Sequence, residues 1–293
     1  MAAENQDAIT FYKTAGPLSD VSRYSDSLKN LPDTVEGLVG VIQGLLLHIF
    51  WAGRYGEMLS TRRKEEVNIR TAEGKIARIL EIEPAALTQA RALNQRLIGN
   101  CRDFSLLLAA FLKFKGIPAR ARCGFATYFI KGKFEDHWVV EYWHAQQQRW
   151  VMVDAQLDAF QREHLKIRFD PLDMPTGQFL PAGQAWQLCR KGQADPLKFG
   201  IQQYHGMEFI LGDVQRDLLA LNRIELLPWD IWGLAGKRFK DLTREQLGLI
   251  DRIALFTLLP DSPLAIIRQL YEENAILHAP QDWLSGVRLG FYR

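Results

Sequence analysis

The chain has 293 residues, 47% apolar and 24% charged, the balance of an ordinary globular protein, which excludes disorder over most of its length. Lysine and arginine number 36 against 34 aspartate and glutamate, and a net charge of +2 gives no reason to expect nucleic acid or a membrane surface as partner. The length suits one large or two modest domains, enough to bury a sizeable core.

Cys101, Cys123 and Cys189 are odd in number and widely spaced, which argues against a closed disulfide framework and against a CxxC zinc signature; reduced thiols are the expectation. The opening MAAENQDAIT carries acidic and polar residues where a signal peptide needs a basic and then an apolar segment, so a cytoplasmic location is expected. The apolar run over 37–53 contains Gln43, Gly44 and His48 and reads as a buried helix rather than a membrane span.

The first hundred residues read as helical. Asp33 or Thr34 can cap a helix whose Val35, Leu38, Val39, Ile42, Leu45, Leu46 and Ile49 recur with a 3.6-residue period, ending near Arg54-Tyr55-Gly56. Further helices are predicted over 63–81 and 84–97. At Asn100 the pattern changes: Asn100 and Asp103 form a capping-box pair, and Leu106 through Leu112 continue as a helix apolar nearly all round, hence central. Lys113, Lys115 and Gly116 end it, and Pro118 prevents continuation.

Three strands are predicted next, over 119–129, 137–143 and 149–154, each rich in aromatic or β-branched residues. The polar stretch His144-Ala145-Gln146-Gln147 makes the last two a hairpin. Residues 160–200, punctuated by proline and glycine, read as loop-rich. Helices return with Thr243 and Gln246 as a capping box, and with Ser262 as N-cap before Pro263.

A cysteine nucleophile needs a base within hydrogen-bond reach and a third group to orient that base. With Asn100 as N-cap, Cys101 is the first helical residue, where free amides and the helix dipole favour thiolate and can receive a developing oxyanion. A turn centred between Ala145 and Gln146 pairs Trp143 with Gln148, Val139 with Met152 and His137 with Asp154. Opposed residues share a sheet face, so Asp154 can hold the His137 imidazole, whereas a one-residue slip would separate them.

The stretch NCRDFSLLLAAFLKFKGIPARARCGFATYF, followed by DHWVVEYW and RWVMVDAQLD, resembles the core of the transglutaminase-like superfamily over residues 100–158. That resemblance implies an α+β, papain-like fold, a central helix packed on an antiparallel sheet, with Cys101 as nucleophile, His137 as general base and acid, and Asp154 as orienting carboxylate. The chain departs from the commonest pattern where Trp138 directly follows His137, and where Ala155-Gln156 follow Asp154 in place of Pro-Thr. Residues 1–170 are expected to form the transglutaminase-like domain with a helical N-terminal layer, and 171–293 a mainly helical extension.

The reaction expected is acyl transfer at a peptide, isopeptide or glutamine-type amide through a thioester, with hydrolysis favoured over crosslinking. The alternatives are a catalytically unused binding or scaffold module, a crosslinking transglutaminase, and a peptide:N-glycanase-like amidase. The expected partner is a peptide or protein amide; no cofactor or metal is implied, and no preference for an oligomeric state. Gln43, His48 and Trp51 could complete an oxyanion hole, with Gln43 and Trp51 retained as candidates, although core packing is the simpler role of each. Cys123 and Cys189 read as small buried hydrophobes, and His144 as a solvated loop residue. Arg120 and Arg122 read as ion-pair partners of Glu141 before they read as a cleft for an acidic substrate. Trp186, Trp229 and Trp232 read as structural anchors.

Overall fold

The computed structural model describes residues 2–258 and 263–284, and the helices of nine residues or more are numbered here. α1 (Ala2–Tyr12) is followed by α2 (Val35–Leu45), α3 (Ala72–Ile82) and α4 (Cys101–Phe114). α5 (Ala182–Arg190), α6 (Met207–Leu221), α7 (Arg244–Phe256) and α8 (Leu264–Glu272) complete the set. Thr34 caps α2 by accepting from Gly37 N, and Thr243 with Gln246 forms the capping box of α7. Ser262 lies outside the described residues.

Two N-terminal expectations change. The apolar run leaves its helix at Leu45, because strand β1 (Leu46–His48) pairs in parallel with β2 (Leu97–Gly99), His48 standing beside Gly99. A continuous apolar run does not distinguish buried helix from buried strand, and tertiary pairing decided here. The helix expected over 63–81 is broken by a fresh N-cap at Thr71, and 84–97 holds turns instead of a helix.

The sheet is built on β3 (Ala119–Ala126), β4 (Phe134–His144) and β5 (Arg149–Val153). Short strands β6 (Phe179–Pro181), β7 (Phe199–Ile201) and β8 (Tyr204–His205) come from the stretch read as loop-rich and beyond. The order is β6-β3-β4-β7-β8, with β5 also on β4. β5 covers β4 from Val140 to His144 and β7 covers Phe134 and Glu135, leaving 136–139 unpaired on that edge. β6 can join β3 only because residue 124 is glycine: a Cβ there would stand 2.2 Å from the Leu180 carbonyl oxygen.

The hairpin register is displaced from the one expected. His144 pairs with Arg149 and Val140 with Val153, around a four-residue connection in which Gln148 has a left-handed φ of 51°. Each β5 partner therefore moves by two residues, and continuing the ladder sets Asp154 opposite Val139 rather than His137. A shift of two preserves side-chain parity, so His137 and Asp154 remain on one face as diagonal neighbours.

α4 is the central helix: every residue from Cys101 to Lys113 is buried, and its leucines pack with Ala119, Val140, Val151 and Val153 of the sheet. A second core joins α5, α6, α7 and α8 to Phe125, Leu180 and Phe199. α1 enters it through Ala8 and Tyr12, whose hydroxyl donates to Leu221 O at 2.9 Å.

Candidate active site

The start of α4 is held from several sides. Asp103 N donates to Asn100 Oδ1 at 3.2 Å, and Asn100 N donates to Asp103 Oδ2 at 3.1 Å, completing the capping box. The other Asp103 oxygen meets Lys75 Nζ at 2.8 Å and Arg102 Nη1 at 3.1 Å, all three side chains being fully buried. Arg102 also donates to the backbone carbonyls of Arg70 and Glu225. These bonds fix where Cys101 stands.

Cys101 packs with Ala121, Cys123, Trp138 and Ala220. The backbone N–H groups of Trp138, at the unpaired stretch of β4, and of Arg102 in the first helical turn favour the charged form of its sulfur. The expectation of a thiolate stabilised by the helix terminus is nevertheless reversed. Burial pushes the Cys101 thiol well above its ordinary range, and the Asp136 carboxylate adds to that, outweighing the two amides. The resting group is a thiol that needs a base.

His137, on β4, is buried with its Nε2 2.9 Å from Asp154 Oδ2. With Nε2 engaged by the carboxylate, Nδ1 is the ring nitrogen left to exchange a proton with a thiol. The same Asp154 oxygen accepts from Tyr128 Oη at 2.6 Å, while Oδ1 accepts from Gln156 N at 2.9 Å. Burial alone would raise the Asp154 pKa; His137, Tyr128 and the Gln156 amide together bring it below the usual range. Tyr128 lies close enough to Cys101 for the sulfur's charge to raise the phenol. Phe129 and Tyr128 wall the imidazole edge-on, with ring centroids 4.9 and 6.0 Å away.

Sequence reading missed Tyr128, which falls just past β3 in the loop; an aromatic at a strand end carries no local mark of a carboxylate partner.

The upstream candidates separate by their partners. Gln43 spends its amide on the Ala155 carbonyl oxygen at 3.1 Å. Trp51 packs edge-on against His164, with Arg54 over its ring at 4.6 Å. His48 is carried by β1 to the side of Gly99, two residues before the nucleophile candidate. Its Nδ1 accepts from Phe50 N at 3.2 Å, which leaves the proton on Nε2. Burial, aided by His137, lowers its pKa to about 3, so it stays a neutral donor.

The remaining residues have structural settings. Arg120 and Arg122 both bond Glu141, at 2.7 and 3.1 Å, and are buried, so they line no open cleft. Trp186 and Trp232 are buried anchors, whereas Trp229 is exposed, contrary to expectation. Cys123 is fully buried and Cys189 half-buried; His144 closes β4 at the hairpin connection.

The site is a capped central helix beginning with cysteine, laid against an antiparallel sheet that holds a His–Asp pair in an α+β fold. Residues 67–155 match the sequence model of the Transglutaminase-like superfamily. The match supports cysteine-type catalysis in general terms. Among solved structures, a "putative cysteine protease" from Cytophaga hutchinsonii is similar at 16% identity and a TM-score of 0.36. The likeness covers 59% of this chain and 45% of that one, so the chain spans less than half the length of that neighbour. No curated protein matches the chain. Among the described residues, no helix is long and apolar enough to cross a membrane.

Proposed function

We propose that the protein hydrolyses a carboxamide through a thioester on Cys101, with His137 as base and acid and Asp154 as its orienting carboxylate. The observation that carries this reading is the buried 2.9 Å contact of His137 Nε2 with Asp154 Oδ2, on a strand whose next residue, Trp138, packs against the cysteine at the capped start of α4. His137 Nδ1 takes the thiol proton as Cys101 Sγ attacks the amide carbon. The oxyanion is received by helix N-terminal amides and by the neutral His48 Nε2–H. Collapse of the adduct breaks the C–N bond, and the proton held by His137 goes to the leaving amine. Water then attacks the thioester, giving a proton to His137, which returns one to the sulfur. Gln43 holds the chain just past Asp154 through the Ala155 carbonyl oxygen. The substrate is a peptide or protein amide.

The scaffold reading is favoured by one observation: Cys101, His137 and Asp154 are 7%, 2% and 1% exposed, a closed site. A panel of amide-mimicking electrophiles followed by mass mapping separates the two. Selective labelling of Cys101, absent in Cys101→Ala, supports the enzyme; equal labelling of all three cysteines, or none at Cys101 with any probe, supports the scaffold. Release of ammonia with amine incorporation, or of a glycan, would replace hydrolysis by crosslinking or deglycosylation.

A further inference from the structure

We propose that Cys123 of β3, Asp136 of β4 and Asp213 of α6 form a binding site for a divalent cation of borderline softness, such as zinc, behind the candidate active site. The three residues come from separate elements, and their ligand atoms all lie within 4.8 Å of one another. One thiolate with two carboxylates is a donor set that suits zinc at tetrahedral or open three-ligand sites.

Two further observations point to a ligand. Asp136 Oδ1 has no hydrogen-bond partner, and Asp213 Oδ2 has none beyond the neighbouring Cys123 thiol, although the residues are only 7% and 1% exposed. Buried carboxylate oxygens without donors are costly, and a cation is the ligand that both would accept. The second is charge. Arg216 Nη1 donates to Asp213 Oδ1 at 2.9 Å, so a thiolate and two carboxylates stand against one guanidinium. Beside them Asp217 is matched by Arg122, so a doubly charged cation neutralises the three ligands and Arg216. Without a cation, neutrality requires a proton on Cys123 and one shared by the carboxyl pair. Loading therefore exchanges about two protons for one ion, with no change of oxidation state.

The test uses the full chain, stripped by dialysis against a chelator and titrated with zinc. Native mass spectrometry is expected to show one ion per chain, and calorimetry in buffers of different ionisation enthalpy to show release of about two protons per ion. Cys123→Ser and Asp136→Asn are each expected to weaken binding at least tenfold, roughly the loss seen when a metal site's supporting contacts are removed. Cys101→Ala is expected to leave binding unchanged. Cobalt added to Cys101→Ala should give a thiolate charge-transfer band, which reads Cys123 ligation without further variants. No stoichiometric zinc, no thiolate band, or affinity that survives Cys123→Ser but is lost in Cys101→Ala would each overturn the proposal.

Discussion

The contact between the sheet and α6 has two charged ends of opposite character. At one end Arg120, Arg122, Glu141 and Asp217 are evenly matched. Arg122 donates to both Asp217 oxygens at 3.0 and 2.9 Å, and Glu141 accepts from both arginines. At the other end Asp136 and Asp213 face a single Arg216, and Asp136 Oδ1 is unpartnered. The matched end fixes how β3 sits on α6, since Asp217 also accepts from Cys123 N at 2.9 Å. The unmatched end lies against Cys101, whose thiol it raises. A buried network with every charge answered holds a fold together; one with charges left over is where a ligand or a reaction is to be sought.

The largest expected effect tests whether chemistry lies at the Cys101 end at all. Cys101→Ala and His137→Ala should each reduce amide turnover by several orders of magnitude, and the double variant should be hardly worse, because nucleophile and base act as a unit. Circular dichroism should show both folded. Wild-type turnover in Cys101→Ala would end the proposed mechanism. The second effect concerns stability at the matched end. Asp217→Ala leaves two buried guanidinium groups to share the single carboxylate of Glu141 and should cost about 3–5 kcal/mol in denaturant unfolding. Asp136→Asn, which removes charge from an end with too much of it, should stay within about 1 kcal/mol of wild type. Equal costs would erase the distinction between the two ends.

Legibility in the sequence followed how local the determinants were. The Asn100–Asp103 capping box, the buried α4 and the Thr243–Gln246 cap could be read directly, because each depends on residues within one turn. The pairing of His137 with Asp154 could be read although the turn was misplaced, because an even displacement keeps side chains on their face. The departure of Leu46 from its helix could not, since it is decided by Leu97, fifty-one positions away. Tyr128 and the Cys123–Asp136–Asp213 grouping were hidden for the same reason: each side chain is ordinary in its own segment and acquires meaning only from a distant carboxylate. The thiol's raised pKa was missed because the helix-terminus effect is local, while the burial that overrides it is not.

Acid should expose the matched end next. Burial would raise the Glu141 pKa, but Arg120 and Arg122 hold it at about 2, below its usual 4.5. A carboxylate depressed on folding contributes stability that is complete above the unfolded value and is lost as pH falls through the folded one. Between pH 4.5 and about 2 the wild type should therefore lose stability on the order of 3 kcal/mol through this group. Glu141→Gln should be less stable at neutral pH and show a flatter acid limb in urea unfolding. An unchanged slope would place the acid sensitivity elsewhere.

The smallest effect asks whether Tyr128 positions Asp154 or merely fills space. Its hydroxyl and His137 Nε2 share one Asp154 oxygen, at 2.6 and 2.9 Å. Tyr128→Phe keeps the ring contacts with His137 and Phe169 and removes only that donor. The carboxylate loses a bond that fixes its orientation, so kcat should fall by about tenfold while KM hardly moves, a loss on the order of 1.4 kcal/mol in transition-state stabilisation. With one donor fewer, the Asp154 carboxyl is held less far below its usual range. The acid limb of the pH–rate profile should then move to higher pH, a change that a space-filling role would not produce. If Tyr128→Phe unfolds more readily but keeps the wild-type kcat and pH profile, its hydroxyl serves the packing of the loop alone, and His137 is oriented by Asp154 without help.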